Sequence, residues 1–157
     1  MNEMMNSMAE VAEVKADMNL PASIEGFKNP AALDIYCSVK DITSVDSQIK
    51  LYNAINSPEK KIDECINMTI VVKDVIAHPV EILDEKTGEL LSLVRTILID
   101  DKGVCYEAVS VGVKNSLQWI FAICGQPTTW KEPIKVKPVQ RKTRNGDNKV
   151  TLLELVK

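Results

Sequence analysis

With a single histidine and only seven aromatic side chains in 157 residues, the chain is short of both a common catalytic base and large stacking surfaces. His78 precedes Pro79 inside an apolar stretch, and nothing in the sequence pairs it with a nucleophile, so a structural role is expected. There is no glycine-rich phosphate loop, no dinucleotide-fold glycine fingerprint and no nucleophile elbow. The four cysteines, Cys37, Cys65, Cys105 and Cys124, contain no closely spaced pair, whereas a zinc site needs clustered donors. Each has apolar neighbours, as reduced core thiols do. The adjacent carboxylates Asp100 and Asp101 precede Lys102-Gly103, where aspartate is favoured because it makes turns. No catalytic constellation, metal or cofactor is therefore expected. The chain also lacks an apolar run of about eighteen residues, which argues against a membrane span. Its N-terminus has neither a basic opening nor an apolar core segment, so a cytoplasmic protein is expected rather than a secreted one.

What is present is ordinary globular material, 45% hydrophobic and 26% charged, with a net charge of −3 that conceals a strong asymmetry. Residues 1–26 carry Glu3, Glu10, Glu13, Asp17 and Glu25 against Lys15 alone. Residues 131–149 carry Lys131, Lys135, Lys137, Arg141, Lys142, Arg144 and Lys149 against Glu132 and Asp147. A concentrated basic segment in a mildly acidic chain suits an anionic partner; a solvated lysine-rich face is the plain alternative.

The pattern divides the chain into three parts. Residues 1–26, with five methionines, alanines and acids, suit a flexible acidic arm. Residues 27–63 form an N-terminal extension with a short strand within 32–40 and a helix over 44–56. In that helix Val45, Ile49, Tyr52 and Ile55 fall at helical spacing, Ser44 or Asp46 caps the start, and Ser57-Pro58 ends the run. Residues 64–157 then change period. Strands are expected at 65–83, with a bend or bulge at Pro79, at 90–99 and at 104–111. Turns at 84–89 and 100–103 join them. A helix over 112–124 buries Val113, Leu117, Ile120, Phe121 and Cys124, and Gly125 and Pro127 stop it. Strands at 134–142 and 149–156 flank an Asn145-Gly146 turn. Three strands, a helix and two strands is the element order of a five-stranded OB-like barrel, a mostly β fold.

The binding surface expected on such a barrel follows from alternation. In strand 134–142, Ile134 and Val136 alternate with Lys135 and Lys137, placing the cations away from the core, and Arg141 continues the charged side. The following hairpin adds Lys142, Arg144 and Lys149, in the loop between strands four and five that commonly holds oligonucleotides. Such cations would track a phosphate backbone. Trp130, before the basic strand, and Tyr106, on strand three, are the candidate stacking platforms, whereas Trp119 is expected to pack. Arg95 interrupts an apolar row and is either a ligand contact or part of an ion pair at the barrel's end.

The residues from Asn67 to Val156 resemble single-stranded DNA-binding proteins of phages and conjugative plasmids of Gram-positive bacteria. The similar stretches are Thr87-Gly88-Glu89, Arg95 to Asp100, Ala108 to Val113, Ile120-Phe121-Ala122, Gly125 to Trp130, and Gln140 to Arg144, in that order. The resemblance implies an OB-like fold without catalysis, coating single-stranded DNA during replication or transfer in a bacterial host cell. It does not reach the strand and helix before residue 60. It also brings no acidic C-terminal tail, since the chain ends in the apolar strand from Leu152 to Val156 plus Lys157. Single-stranded DNA is the expected partner, with RNA as the other nucleic-acid candidate. The opposite charges of arm and basic segment would let the arm compete with DNA for the basic groove, or self-associate by bridging neighbouring subunits along a strand. The alternative is an OB-like interaction module or structural subunit whose basic strand docks an acidic protein.

Overall fold

Residues 34–144, 146 and 148–157 are described by the computed structural model of the chain. The acidic arm and the start of the extension lie outside the described residues. The described elements are β1 (Tyr36–Cys37), α1 (Val45–Asn56), β2 (Lys60–Lys61), β3 (Ile70–Leu83), β4 (Leu90–Asp100), β5 (Cys105–Ala108), α2 (Val111–Cys124), β6 (Ile134–Lys142) and β7 (Lys149–Val156). Two compact units divide them. The larger contains Tyr36–Ala77 and Arg95–Lys157; the smaller contains, among the described residues, 34–35 and His78–Val94.

In the larger unit the sheet runs β2-β5-β4-β3-β6-β7, with β1 also paired to β3. The β4/β5, β3/β6, β6/β7 and β1/β3 pairs are antiparallel, and the short β2/β5 pair is parallel. Thus β3, β4 and β5 form a meander, and the β6–β7 hairpin attaches to the other edge of β3. This is a mostly β, OB-like sheet with the expected β-β-β-α-β-β order. Of residues 65–69, expected to open β3, Cys65 instead ends a 3-10 turn at Ile62–Cys65, and 66–69 lead from it to the strand's start at Ile70. That turn puts Ile62 and Cys65 into the core.

The main core gathers Ile62, Cys65, Ile70, Val72, Val75, Leu98, Val136 and Leu153 from the sheet side, and Val113, Leu117 and Ile120 from α2. Ser110 caps α2 by accepting from the Val113 amide at 3.2 Å. The helix also closes the outer edge of β7. The Leu153 amide donates to Ser116 Oγ at 3.1 Å, and Ser110 Oγ donates to the Thr151 carbonyl at 3.5 Å. An edge strand left bare would offer those groups to other chains. The approach depends on Gly112, because a Cβ there would lie 2.2 Å from the Thr151 carbonyl oxygen and 2.6 Å from Val150 Cγ2.

A second buried cluster holds Ala54, Ile76, Ile97 and Cys105, with Leu51 and Ile55 of α1 packed against it. Ser44 rather than Asp46 caps α1, accepting from the Ser47 amide at 3.1 Å. Of the stripe that the spacing suggested, only Ile55 turns inward. Val45, Ile49 and Tyr52 are exposed, Tyr52 by 67%, while Leu51, Ala54 and Ile55 meet the sheet. Periodicity marks an apolar stripe, but the attachment of α1 beside β3 and β4 selects the buried one. Burial pushes the Cys105 thiol up to about 11, with Glu59 adding to the effect, and burial likewise raises Cys65 and Cys37. All four cysteines are free thiols.

In the smaller unit, the turn after Leu83 is fixed by the Gly88 amide donating to the Asp84 carbonyl at 2.7 Å and the Asp84 amide donating to the Glu89 carbonyl at 2.8 Å. Asp84 Oδ1 also accepts from the Lys86 amide at 2.9 Å. His78 Nδ1 lies 3.2 Å from the Pro79 carbonyl oxygen, a local backbone contact.

Candidate nucleic-acid interface

The β6–β7 hairpin is where the register concentrates charge. Lys142 pairs directly with Lys149, Arg141 with Val150 and Lys137 with Glu154. Cross-strand partners point to the same face, so two ammonium groups stand opposite one another where the hairpin meets its turn. Like charges so placed repel and weaken the pair, unless an anion settles between them. Among the described residues neither lysine forms an ion pair. Beside them opens a cavity of about 330 Å³ lined by Ile66, Asn67, Val139, Gln140, Arg141, Lys142 and Lys149. Asn67 adopts a left-handed backbone, φ 67°, which asparagine tolerates, and its amide donates to the Pro138 carbonyl at 2.7 Å. That bond holds the segment before β3 against β6 and so shapes the cavity's floor. The turn itself is closed by the Gly146 amide donating to the Thr143 carbonyl at 2.8 Å, with Gly146 at φ 78°.

Lys135, Lys137 and Arg141 share the other face of β6, and there the structure adds a carboxylate that a single strand's alternation does not reveal. Glu154, on β7 opposite Lys137, forms a salt bridge with Arg141. Lys135 is exposed and Lys137 half-buried. The alternation is also broken midway, since Pro138 and Val139 are both buried. The expected basic stripe is thus two sets, Lys142 with Lys149 on one face and Lys135, Lys137 and Arg141 around Glu154 on the other. Arg144, in the turn, is exposed. Substituting Glu154→Gln is expected to raise affinity for a polyanion a few-fold, because Arg141 is released. Thermal stability should hardly change, since an exposed pair of this kind contributes about 0–1 kcal/mol. Unchanged affinity in an oligonucleotide titration would exclude Arg141 from the contact surface.

Three other candidates are engaged inside the fold. Arg95 donates through Nε to Glu107 Oε1 at 2.9 Å and through Nη1 to the Ile55 carbonyl at 2.7 Å, tying the C-terminal end of α1 to β4 and β5. The ion pair, one of the two roles open to Arg95, is present. Tyr106 packs on the main core, and its hydroxyl donates to Asp100 Oδ2 at 3.0 Å. Burial, with the Asp100 carboxylate, pushes that hydroxyl up to about 12, so it remains a donor. Asp100 Oδ1 accepts from the Lys102 and Val104 amides at 2.9 and 2.8 Å, so this carboxylate organises the turn. No group of three or more potential metal ligands occurs among the described residues. Trp130 is half-buried, donating from its indole N–H to the Gly125 carbonyl at 2.9 Å and meeting Phe121 edge-on at 6.3 Å. Phe121 in turn packs against Tyr36 at 5.8 Å. Part of Trp130 still lines a second cavity together with Lys131.

Trp119, expected to pack, is instead 69% exposed, with Ile123 exposed on the next turn. Lying beside a buried stripe at positions 113, 117 and 120 does not bury position 119, which α2 turns to solvent. Two further cations, Lys40 and Lys73, line the cavity at Trp130. They are isolated in sequence, and only the fold brings them to the basic segment.

A curled OB-like sheet bearing a cationic strand hairpin defines a class of small β-barrel binding modules. Within that class, the chain belongs to the Phi29 phage single-stranded DNA-binding protein family, whose model matches residues 31–155. The match takes in β1 and α1, which the resemblance read from the sequence left outside. The chain is also 30% identical over 107 residues to the single-stranded DNA-binding protein of Bacillus phage GA-1, covering 65% of this chain and 62% of that protein. It therefore spans less than two thirds of that relative's length. No solved structure gives a significant match. No helix among the described residues is long and apolar enough to cross a membrane.

Proposed function

We propose that the chain binds single-stranded DNA with little sequence preference and without catalysis, coating or protecting strands during phage replication in the host cell. The observation that carries this is the in-register opposition of Lys142 and Lys149 beside a cavity, an arrangement that is repulsive until a phosphate enters it. Family membership supports the choice of single-stranded DNA over RNA as the principal ligand. Lysine and arginine contacts to phosphate fit tolerance of sequence, because phosphate contacts carry no base information. Conjugative transfer is not part of the proposal, since both the family and the relative are phage proteins.

The test is a titration with a labelled oligo-dT across salt concentrations. If Lys135, Lys142, Arg144 and Lys149 each neutralise one phosphate, log K falls with log salt at a slope of about −3. No binding at low salt would refute the proposal. A second reading, docking of a protein partner, is favoured by the exposed apolar residues Val45, Ile49 and Tyr52 on α1 and Trp119 and Ile123 on α2. It predicts weak oligonucleotide binding.

A further inference from the structure

The edge of β3 changes partners midway. Its residues Ile70–Val72 pair with β6, whereas Ile76 and Ala77 pair with β1. Ser38 prolongs the β1 side, its amide donating to the Val75 carbonyl at 3.1 Å and its hydroxyl oxygen accepting from the Val75 amide at 2.9 Å. Lys73 and Asp74 fall between the two partners, and the strands part there. The fork holds a cavity of about 460 Å³, lined by Val39, Lys40 and Asp41 after β1, Lys73 and Asp74, Pro127, and Trp130 to Pro133 leading into β6. That volume lies within the range of small-ligand sites.

The side chains around the fork are arranged for a particular kind of ligand. Trp130 is fixed by its bond to the Gly125 carbonyl and by its edge contact with Phe121, so its ring is preorganised. Three lysines, Lys40, Lys73 and Lys131, stand beside three carboxylates, Asp41, Asp74 and Glu132, yet no ion pair forms between them. Two of the carboxylates are taken by local donors. Asp41 Oδ1 accepts from the Thr43 hydroxyl at 2.8 Å and amide at 3.2 Å, and Asp74 Oδ1 accepts from the Ser38 hydroxyl at 2.8 Å. Among the described residues none of the three ammonium groups is paired with a carboxylate, so each can meet an outside anion. Because the lining's formal charges cancel, a bare phosphate would be held weakly. An anion joined to a flat ring answers both the lysines and the indole.

The geometry points to a one-nucleotide subsite in this fork, with the base against Trp130 and the adjoining phosphates on Lys40, Lys73 and Lys131. The inference rests on the single-strand binding proposed above and extends the contact surface beyond the hairpin, to residues scattered through the sequence. It makes Trp130 a reporter of strand occupancy.

The test uses the full chain with Trp119→Phe, which replaces an exposed ring and leaves Trp130 as the sole tryptophan. Binding of a dye-labelled oligonucleotide is followed by anisotropy, and Trp130 emission is read on the same samples. Emission is expected to fall in step with saturation. The Lys40→Ala/Lys73→Ala variant should bind several-fold more weakly, with a salt slope shallower by about 1.4. Millimolar dAMP alone, against inorganic phosphate as control, asks whether the fork also takes a free nucleotide. Quenching by dAMP or by the strand, with phosphate silent, supports the subsite. A strand that binds by anisotropy while Trp130 emission and the double variant's affinity stay unchanged overturns it and leaves the hairpin proposal standing. Loss of anisotropy binding in the parent chain at low salt would instead overturn the function on which it rests.

Discussion

Replacing Lys142, Arg144 and Lys149 together by alanine is expected to weaken single-strand binding about 100-fold at about 0.1 M salt, and to flatten the salt dependence by about 2 units of slope. The size follows from counterion release, in which each single-strand phosphate neutralised contributes about 0.7 to the slope. Stability should hold or improve. All three side chains are exposed, and the substitution removes the Lys142–Lys149 opposition from the β6–β7 ladder. A variant that keeps its melting temperature and loses affinity would place the binding function at the hairpin. One that binds as the parent does at every salt concentration would remove the hairpin from the interface.

The second large effect concerns architecture rather than binding. Gly112→Ala should destabilise the chain by about 2 kcal/mol, even though alanine is the better helix former by about 1 kcal/mol. The added methyl would meet the Thr151 carbonyl and Val150, and the first of these is backbone of a paired strand that cannot swing aside. For a chain of this size the expected fall in melting temperature is about 4–8 °C. Asn115→Ala, on an exposed position of the same helix, is the control and should be neutral or slightly stabilising. Equal melting curves for Gly112→Ala and the parent would mean that α2 and β7 lie further apart than described.

The two predictions mark what could be read from the chain and what could not. The hairpin turns at 100–103 and 143–148 depend on neighbouring residues, so both were legible, as were α2 and its buried Val113, Leu117 and Ile120. The close packing of Gly112 was not, because it arises from contact with a strand about forty residues later. α1 was legible as a helix, but its inward face was not, because Val45, Ile49 and Tyr52 form as regular a stripe as the one that is buried. The seven cations of residues 131–149 were visible as a cluster, whereas Glu154 within that cluster and Lys40 and Lys73 beside Trp130 were not.

Local sequence by itself determined the element order, the basic segment and the lack of a catalytic motif, because periodicity, turn chemistry and composition act over a few residues. The tertiary structure alone decided how that charge is used. Strand register set Lys142 against Lys149 and Glu154 beside Arg141, and the fork in β3 gathered Lys40, Lys73 and Trp130. Register and strand partnership are long-range pairings, and a change of one residue in register would exchange the faces on which these charges stand.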